Sequence, residues 1–313
     1  MSGEINANRA VTIVDIDISP ITTDTLYDDL FTTKKISVDV LRLDKIHPVI
    51  SGNKLFKLRY FLEEAKRSND KHILTFGGAY SNHLVATAYA GKAEGLRTTG
   101  IVRGEQPGLL SPTLQQCIEY GMELRFVSRQ EYDMKATPLM AARLEDLYGP
   151  CVIIPEGGFH PLGAKGASGI MELIKEKNYS HVCTAAGTAT TLAGLVLAAT
   201  ATQQIIAVNV LKGITDTQER VRQLIGQPAS NAAIWNDHHF GGYARYTPEL
   251  IAFMNRCWQQ FALPLDFVYT AKMMYAVFDK TAQAHFPPGS KILCLHTGGL
   301  QGNRSLPVDS LLY

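Results

Sequence analysis

Ile73-Leu74-Thr75-Phe76 runs into Gly77-Gly78-Ala79-Tyr80-Ser81-Asn82-His83 and on through a helical pattern to Glu94, where Gly95 follows. A short apolar run, a turn of small polar residues and an apolar-periodic segment closed by glycine spell strand, turn and helix, because glycine takes the left-handed conformation that ends a helix at low steric cost. The same order recurs at Val182 to Ala186, where Gly187-Thr188-Ala189-Thr190-Thr191 leads into Leu192 to Ala199, a segment apolar all round and expected to be buried. Upstream, Ser51-Gly52-Asn53 opens a third helix at Lys54. Its residues Leu55, Leu58, Leu62 and Ala65 share one face, with Glu63, Glu64, Lys66 and Arg67 elsewhere.

Working outward, strand-like runs fall at Thr98 to Val102, Glu123 to Val127, Val152 to Ile154, Ile205 to Leu211 and Ile292 to Leu295, besides the two above. Helical patterns at Asn82 to Glu94, Leu114 to Tyr120 and Leu139 to Leu147 separate them, and Gly121 and Gly149 close the last two. Strands alternating with helices predict an α/β fold of mainly parallel, twisted sheets flanked by helices. No Pro/Gly-rich linker cuts the chain, so a second domain is expected to be inserted within the first. Gly213 to Gly242 reads as a helix and then an irregular loop.

The 313 residues are 46% hydrophobic, enough for two domains of ordinary size. Lys and Arg number 30 against 29 Asp and Glu, and no local basic patch stands out, so neither nucleic acid nor an acidic membrane is an expected partner. Five cysteines (Cys117, Cys151, Cys183, Cys257, Cys294) without a C-x-x-C pair suggest neither a disulfide framework nor a zinc site and fit a cytosolic location. Met1 to Asn8 lacks the basic-then-apolar order of a signal peptide, and no apolar run approaches a membrane span.

The chemistry lies in the turns. Unpaired N–H groups at Gly187 to Thr191, with the helix dipole and threonine hydroxyls, suit a phosphate; the plainer reading is a capped helix start. A Walker site is excluded, since no lysine follows the turn. Lys54, at the positive end of a helix dipole, is expected to have a lowered pKa and so to offer a neutral amine; Lys57, one turn on, competes, and spacing does not separate them. Ser81-Asn82-His83 lacks the G-x-S-x-G elbow of a hydrolase and suits a carboxylate or cofactor-hydroxyl site better. His238 and His239 are expected to be loop histidines, with no third metal ligand at useful spacing. An amine and two polar strand-to-helix turns are the parts that hold a phosphorylated carbonyl cofactor, with pyridoxal 5'-phosphate the leading candidate.

Five motifs carry a resemblance: Ser51 to Leu58 (SGNKLFKL), Gly77 to His83 (GGAYSNH), Gly187 to Leu195 (GTATTLAGL), Leu265 to Thr270 (LDFVYT) and His296 to Gly299 (HTGG). In this order they resemble the 1-aminocyclopropane-1-carboxylate deaminase/D-cysteine desulfhydrase family of fold-type II pyridoxal-phosphate enzymes, across about residues 35 to 303. The resemblance implies that Lys54 forms the internal Schiff base, Asn82 hydrogen-bonds the ring hydroxyl, Ser81 holds the substrate carboxylate and Gly187, Thr188, Ala189, Thr190 and Thr191 cradle the phosphate. It makes Tyr243 and Tyr269 the two active-site tyrosines, which position substrate and assist proton transfer. It also implies a large domain of residues 1–53 and 165–313, a small inserted domain of residues 54–164, and a homodimer.

Thr270 and Thr297 bear on the substrate. The family's deaminases have Glu and Leu at these positions, its desulfhydrases small hydroxyl residues. A carboxylate beside the pyridine nitrogen keeps the ring protonated and a strong electron sink, whereas a hydroxyl does not impose that charge. The threonines therefore point to β-elimination from a small amino acid such as D-cysteine, giving a 2-oxo acid, ammonia and sulfide. Tyr80, Ala189-Thr190 and Ala244 depart from the family pattern, so the pocket is expected to be reshaped near the substrate side chain. The rivals are a 1-aminocyclopropane-1-carboxylate deaminase, a non-catalytic pyridoxal-phosphate binder, and a nucleotide-binding α/β protein in which Lys54 is incidental.

Overall fold

A computed structural model describes residues 16–69, 71–174 and 178–313; the Met1 to Asn8 stretch weighed above as a leader lies outside them. The chain builds two sheets. Strands β1 (Thr23–Thr25), β2 (Ser37–Arg42), β7 (His181–Ala186), β8 (Gln204–Asn209), β9 (Ala232–Trp235) and β10 (Lys291–His296) form the first, in the order β1-β2-β10-β7-β8-β9. Every neighbouring pair in it is parallel except β1 with β2. Strands β3 (His72–Gly77), β4 (Arg97–Arg103), β5 (Glu123–Val127) and β6 (Val152–Ile154) form the second, all parallel, in the order β5-β4-β3-β6. Parallel sheets are covered on both faces by their crossover helices, which is why β3 is buried along its whole length.

All strands of the second sheet fall within residues 54–164, and we propose the two sheets as the nuclei of the inserted and the enclosing domain. Two helices join them. Helix α2 (Asn53–Arg67) buries Leu55, Leu58, Phe61, Leu62 and Ala65, in one core cluster with Ile73 of β3 and Ile154 of β6. Helix α7 (Pro161–Ser168) offers it a surface of small residues: a Cβ at Gly166 would land on the carbonyl of Phe56. Helix α8 (Thr190–Ala198) uses the same device, since a Cβ at Gly194 would lie 2.6 Å from the carbonyl oxygen of Ala164. Only glycine lets these backbones approach so closely.

The elements follow the sequence where local chemistry is strong. Helix α3 (Asn82–Glu94) starts on Ser81, whose hydroxyl accepts from Leu84 N, and ends on Gly95 at φ +67°. Helices α4 (Pro112–Glu119) and α6 (Pro138–Tyr148) begin earlier than the apolar pattern suggested, because Ser111 and Thr137 cap them and proline fills the first turn. Three corrections concern strands β1, β2 and β9, which the apolar pattern did not pick out. Strand β9 lies inside the stretch read as loop, after helix α9 (Thr217–Ile225). A fourth concerns Leu192 to Ala199, expected to be buried throughout: the last turn emerges, with Leu197 43% exposed.

Candidate active site

The carboxyl ends of the strands converge on one cavity of about 680 Å³, the position ligands take in open α/β sheets. From the small sheet come the 78–83 turn after β3, Arg103 closing β4, Arg129 after β5, and Glu156 and Gly157 after β6. From the large sheet come the 187–191 turn after β7, Leu211 after β8 and Thr297 after β10.

Lys54 is held there by a clamped turn. Gly52 has φ +67°, and a Cβ on it would strike the Thr297 carbonyl. Gly52 N donates to Leu43 O (3.0 Å) and Asn53 N to Thr297 O (3.3 Å). The Asn53 side chain donates to Thr191 Oγ1 (2.8 Å) and accepts from Lys54 Nζ (2.6 Å), tying the lysine-bearing helix to the 187–191 turn. Burial lowers the Lys54 amine to about 8, with Asp266 pulling the other way. The lowered pKa is as expected, and loss of hydration is its largest cause. Lys57, on the same helix face, donates to Gly157 O (3.1 Å) and is also pushed well below its ordinary value, by burial and then by the charge of Lys54. Gly157 backs onto Thr188, where its Cβ would be 2.7 Å from Thr188 Cγ2. Lys57 therefore reaches toward the 187–191 turn, while Lys54 feels the opposite end, around Asp266.

In that turn Ala189 sits at φ +66°, ψ −2°, a conformation glycine adopts without strain, and Thr188 and Thr190 share a hydroxyl hydrogen bond (3.0 Å). Thr190, Thr191 and Leu192, the first residues of α8, line the cavity, and the free amides of a helix start suit a phosphate. Across from it, Asn82 donates to Gly299 O (3.3 Å), while its Oδ1 is buried with no partner among the described residues. His83 stands behind it. Thr75 gives its hydroxyl proton to Ile154 O, so His83 Nε2 must be the donor in the Thr75 contact (3.0 Å), and Nδ1 is left as a bare acceptor. Burial, helped by the two lysines, drives His83 down to about 3, so the ring is neutral.

Tyr243 and Tyr269 meet edge to face at 6.2 Å. Burial first, then the neighbouring tyrosine, raises Tyr269 well above the usual phenol value, and burial at the hydroxyl end raises Tyr243 although 47% of the residue is exposed. Both are phenols, and proton donors, at neutral pH. Ser81 and Thr297 also line the cavity, but Thr270 does not. Its hydroxyl donates to Asp266 Oδ2 (2.6 Å) and accepts from Asp266 N (2.8 Å). Thr270 is thus one hydrogen bond removed from a fully buried carboxylate that also takes the N–H groups of Val268, Tyr269 and Thr270.

Asp266, which lies outside the lining but whose charge reaches Lys54, was missed by sequence reasoning, as were Asn53, Arg103, Arg129, Arg220 and Glu156 of the lining. The one available signal for Asp266 was an acidic residue in an apolar run four positions before a threonine. No group of three or more metal-ligating side chains occurs among the described residues; His238 instead pairs with Asp279 at 2.8 Å.

A buried amine of lowered pKa, an unpartnered Asn82 oxygen and an open helix start in one cavity fit pyridoxal 5'-phosphate, whose aldehyde, ring hydroxyl and phosphate need these three partners. Two α/β sheets around such a cavity define the class of fold-type II pyridoxal-phosphate enzymes. Residues 31–298 match the family model described as pyridoxal-phosphate dependent enzyme, and the chain belongs to that family. It is 28% identical to a D-cysteine desulfhydrase of Serratia proteamaculans, over 83% of this chain and 86% of the relative. It is also 28% identical to a bifunctional D-cysteine desulfhydrase/1-aminocyclopropane-1-carboxylate deaminase, mitochondrial, of Arabidopsis thaliana, over 81% of this chain and 70% of the relative. Among solved structures, an ACC deaminase homologue superposes with a TM-score of 0.78 at 25% identity, covering 92% of each chain. The family resemblance carried by the five motifs is borne out, and with it the α/β fold type and the cofactor.

Proposed function

We propose that the chain catalyses β-elimination on a small amino acid such as D-cysteine, releasing a 2-oxo acid, ammonia and, from cysteine, sulfide. The observation that carries the reading is Lys54, an amine buried to a pKa of about 8 in the cavity that also holds the open start of α8. Bound there, pyridoxal phosphate supplies an aldehyde that takes up amines and a conjugated ring that accepts the electron pair left by an α-proton.

The chain's residues do the rest. Lys54 Nζ would be the base that removes the α-proton; at pH 8 about half of such an amine is neutral. Ser81 and the first amides of α3 bind the substrate carboxylate, a helix N-terminus being suited to an anion. Asn82 accepts from the ring hydroxyl through its unpartnered oxygen. Gly187 to Thr191 hold the phosphate with Lys57, whose Gly157 contact lies beside Thr188. Tyr243 and Tyr269, kept protonated by burial, orient the substrate and can protonate the leaving group.

Ring opening of 1-aminocyclopropane-1-carboxylate is the second reading. Asp266 favours it: a buried carboxylate, outside the cavity lining, takes a hydrogen bond from Thr270, the position on which the choice of electron sink turned. The cytosolic location and the homodimer belong to the same proposal; the five free thiols support a reducing compartment, and sedimentation of the purified protein tests the dimer.

Incubating purified protein with D-cysteine, L-cysteine and the cyclopropane substrate, and measuring sulfide and 2-oxo acid, decides between the readings. Sulfide and pyruvate from cysteine, lost in Lys54→Ala, are the expected result. A cyclopropane turnover exceeding cysteine turnover favours the second reading, and silence on these three and on a broad panel of other β-substituted amino acids leaves a pyridoxal-phosphate binder. Borohydride reduction should fix the cofactor to Lys54; a cofactor-bearing peptide containing Lys57 instead overturns the assignment.

A further inference from the structure

We infer that Arg103 and Arg129 form a subsite for a negatively charged β-substituent, so that the preferred substrate is an amino acid carrying a sulfonate or phosphate group on its β-carbon. The inference rests on the β-elimination reading and narrows its substrate class.

Both arginines line the cavity that holds Lys54. They arrive there by sheet geometry. Arg103 is the last residue of β4 and pairs in register with Val127, the last residue of β5, and Arg129 stands two residues beyond Val127. Adjacent parallel strands thus deliver two guanidinium groups to one carboxyl edge, on the side of the cavity that also carries the 78–83 turn. The phosphate-suited turn at 187–191 comes from the other sheet, so these two cations are not accounted for by the cofactor's phosphate.

Neither arginine makes a salt bridge or side-chain hydrogen bond among the described residues, unlike Arg220, the remaining arginine of the lining, which is paired with Asp216 at 2.9 Å. Arg103 is steadied instead by the face of Tyr132, with 5.9 Å from Cζ to the ring centroid. Its charge is felt by Tyr243 across the cavity. The acidic group on this wall is Glu156, and it is engaged by Lys135 at 3.5 Å. Both are exposed to solvent, and two guanidinium groups without a carboxylate partner at the cavity's open side match an oxyanion, which they bind through paired N–H donors better than a neutral thiol or hydroxyl. The same charges favour departure of the group. As Lys54 Nζ takes the α-proton, the Cα=Cβ bond forms and the Cβ–S or Cβ–O bond breaks, its electron pair leaving on the substituent as sulfite, from a sulfonate, or as phosphate.

The test uses the cofactor-loaded protein. Calorimetric titration with cysteate and O-phosphoserine, both enantiomers of each, is compared with alanine and serine. The anionic ligands should bind at least tenfold tighter, and this ratio should fall at least threefold in Arg103→Gln or Arg129→Gln and return in part in Arg103→Lys. The melting temperature and cofactor absorbance of each variant confirm that it is folded and loaded. Equal affinities for charged and neutral ligands, or a ratio unchanged in the double variant, overturn the subsite. Pyruvate release from β-chloroalanine, which is uncharged at the β-carbon, tests the underlying reading separately. If it is absent while the binding preference stands, the elimination reading fails and the subsite survives.

Discussion

A lysine buried to a pKa of about 8 should react with an aldehyde at neutral pH far faster than an exposed one. Only the neutral amine attacks, and its fraction at pH 7 is about 10% for a pKa of 8, against about 0.03% for an ordinary lysine near 10.5, a difference of roughly 300-fold. Because the folded pKa lies below the ordinary value, the rate of cofactor uptake should rise about tenfold per pH unit up to pH 7 and level off above about 8. The assay is stopped-flow absorbance of cofactor-free protein mixed with pyridoxal phosphate from pH 5.5 to 10. Dividing by the rate for Nα-acetyl-lysine, expressed per neutral amine at each pH, removes the titration of the aldehyde itself. Lys57 shares the cavity and is also pushed down, so Lys57→Met is the control: the plateau should persist in it and vanish in Lys54→Met. A rate still climbing through pH 9.5, or a plateau lost with Lys57, would refute the reasoning.

Asp266→Asn replaces one carboxylate oxygen by an amide that faces donors it cannot accept from. The expected loss is about 2–4 kcal/mol on urea denaturation, given the cost of leaving buried donors unpaired, and the Lys54 profile should shift to lower pH, since Asp266 is what holds that amine up. Gly166→Ala drives a methyl into the Phe56 carbonyl; a destabilisation of about 1–3 kcal/mol, typical of overpacking, should come with weaker cofactor retention on dialysis, because α2 carries Lys54. Ala189→Gly relieves a left-handed residue that costs about 1 kcal/mol, so the melting temperature should stay level or rise.

Much of this molecule is legible in its sequence, for reasons that differ by element. Strand β3 and helix α3 are delimited by an apolar run, a capping serine and a closing glycine, so reading and structure agree within a residue. Strand β2 escapes because Ser37, Asp39 and Arg42 interrupt its apolar residues, and Arg42 is buried only by pairing with Asp24 and Asp44, which no pattern reveals. Strand β9 is four residues long and flanked by asparagines, too short for a period to show. Among site residues, those on strand-to-helix turns could be read because the turn itself is the signal. Asp266 could not: its function is to accept N–H groups at 268–270, a matter of backbone path and not of composition.

The arrangement also explains why the site stands at a junction. The turn bearing Lys54 leans on Thr297 of the large sheet, yet the helix it starts packs on the small one. Asn53 joins that helix to α8 through Thr191, and α7 holds both at glycine-to-backbone distance. A rigid shift of one sheet against the other would therefore not move Lys54 relative to the 187–191 turn, since both are fixed to α7. It would move the wall that carries Arg103 and Arg129. The amine and the 187–191 turn are thereby locked to each other by close backbone packing, while Asn82 and the substrate wall ride on the strand ends of the small sheet, where substitution at Arg103 or Arg129 changes specificity without loosening the amine.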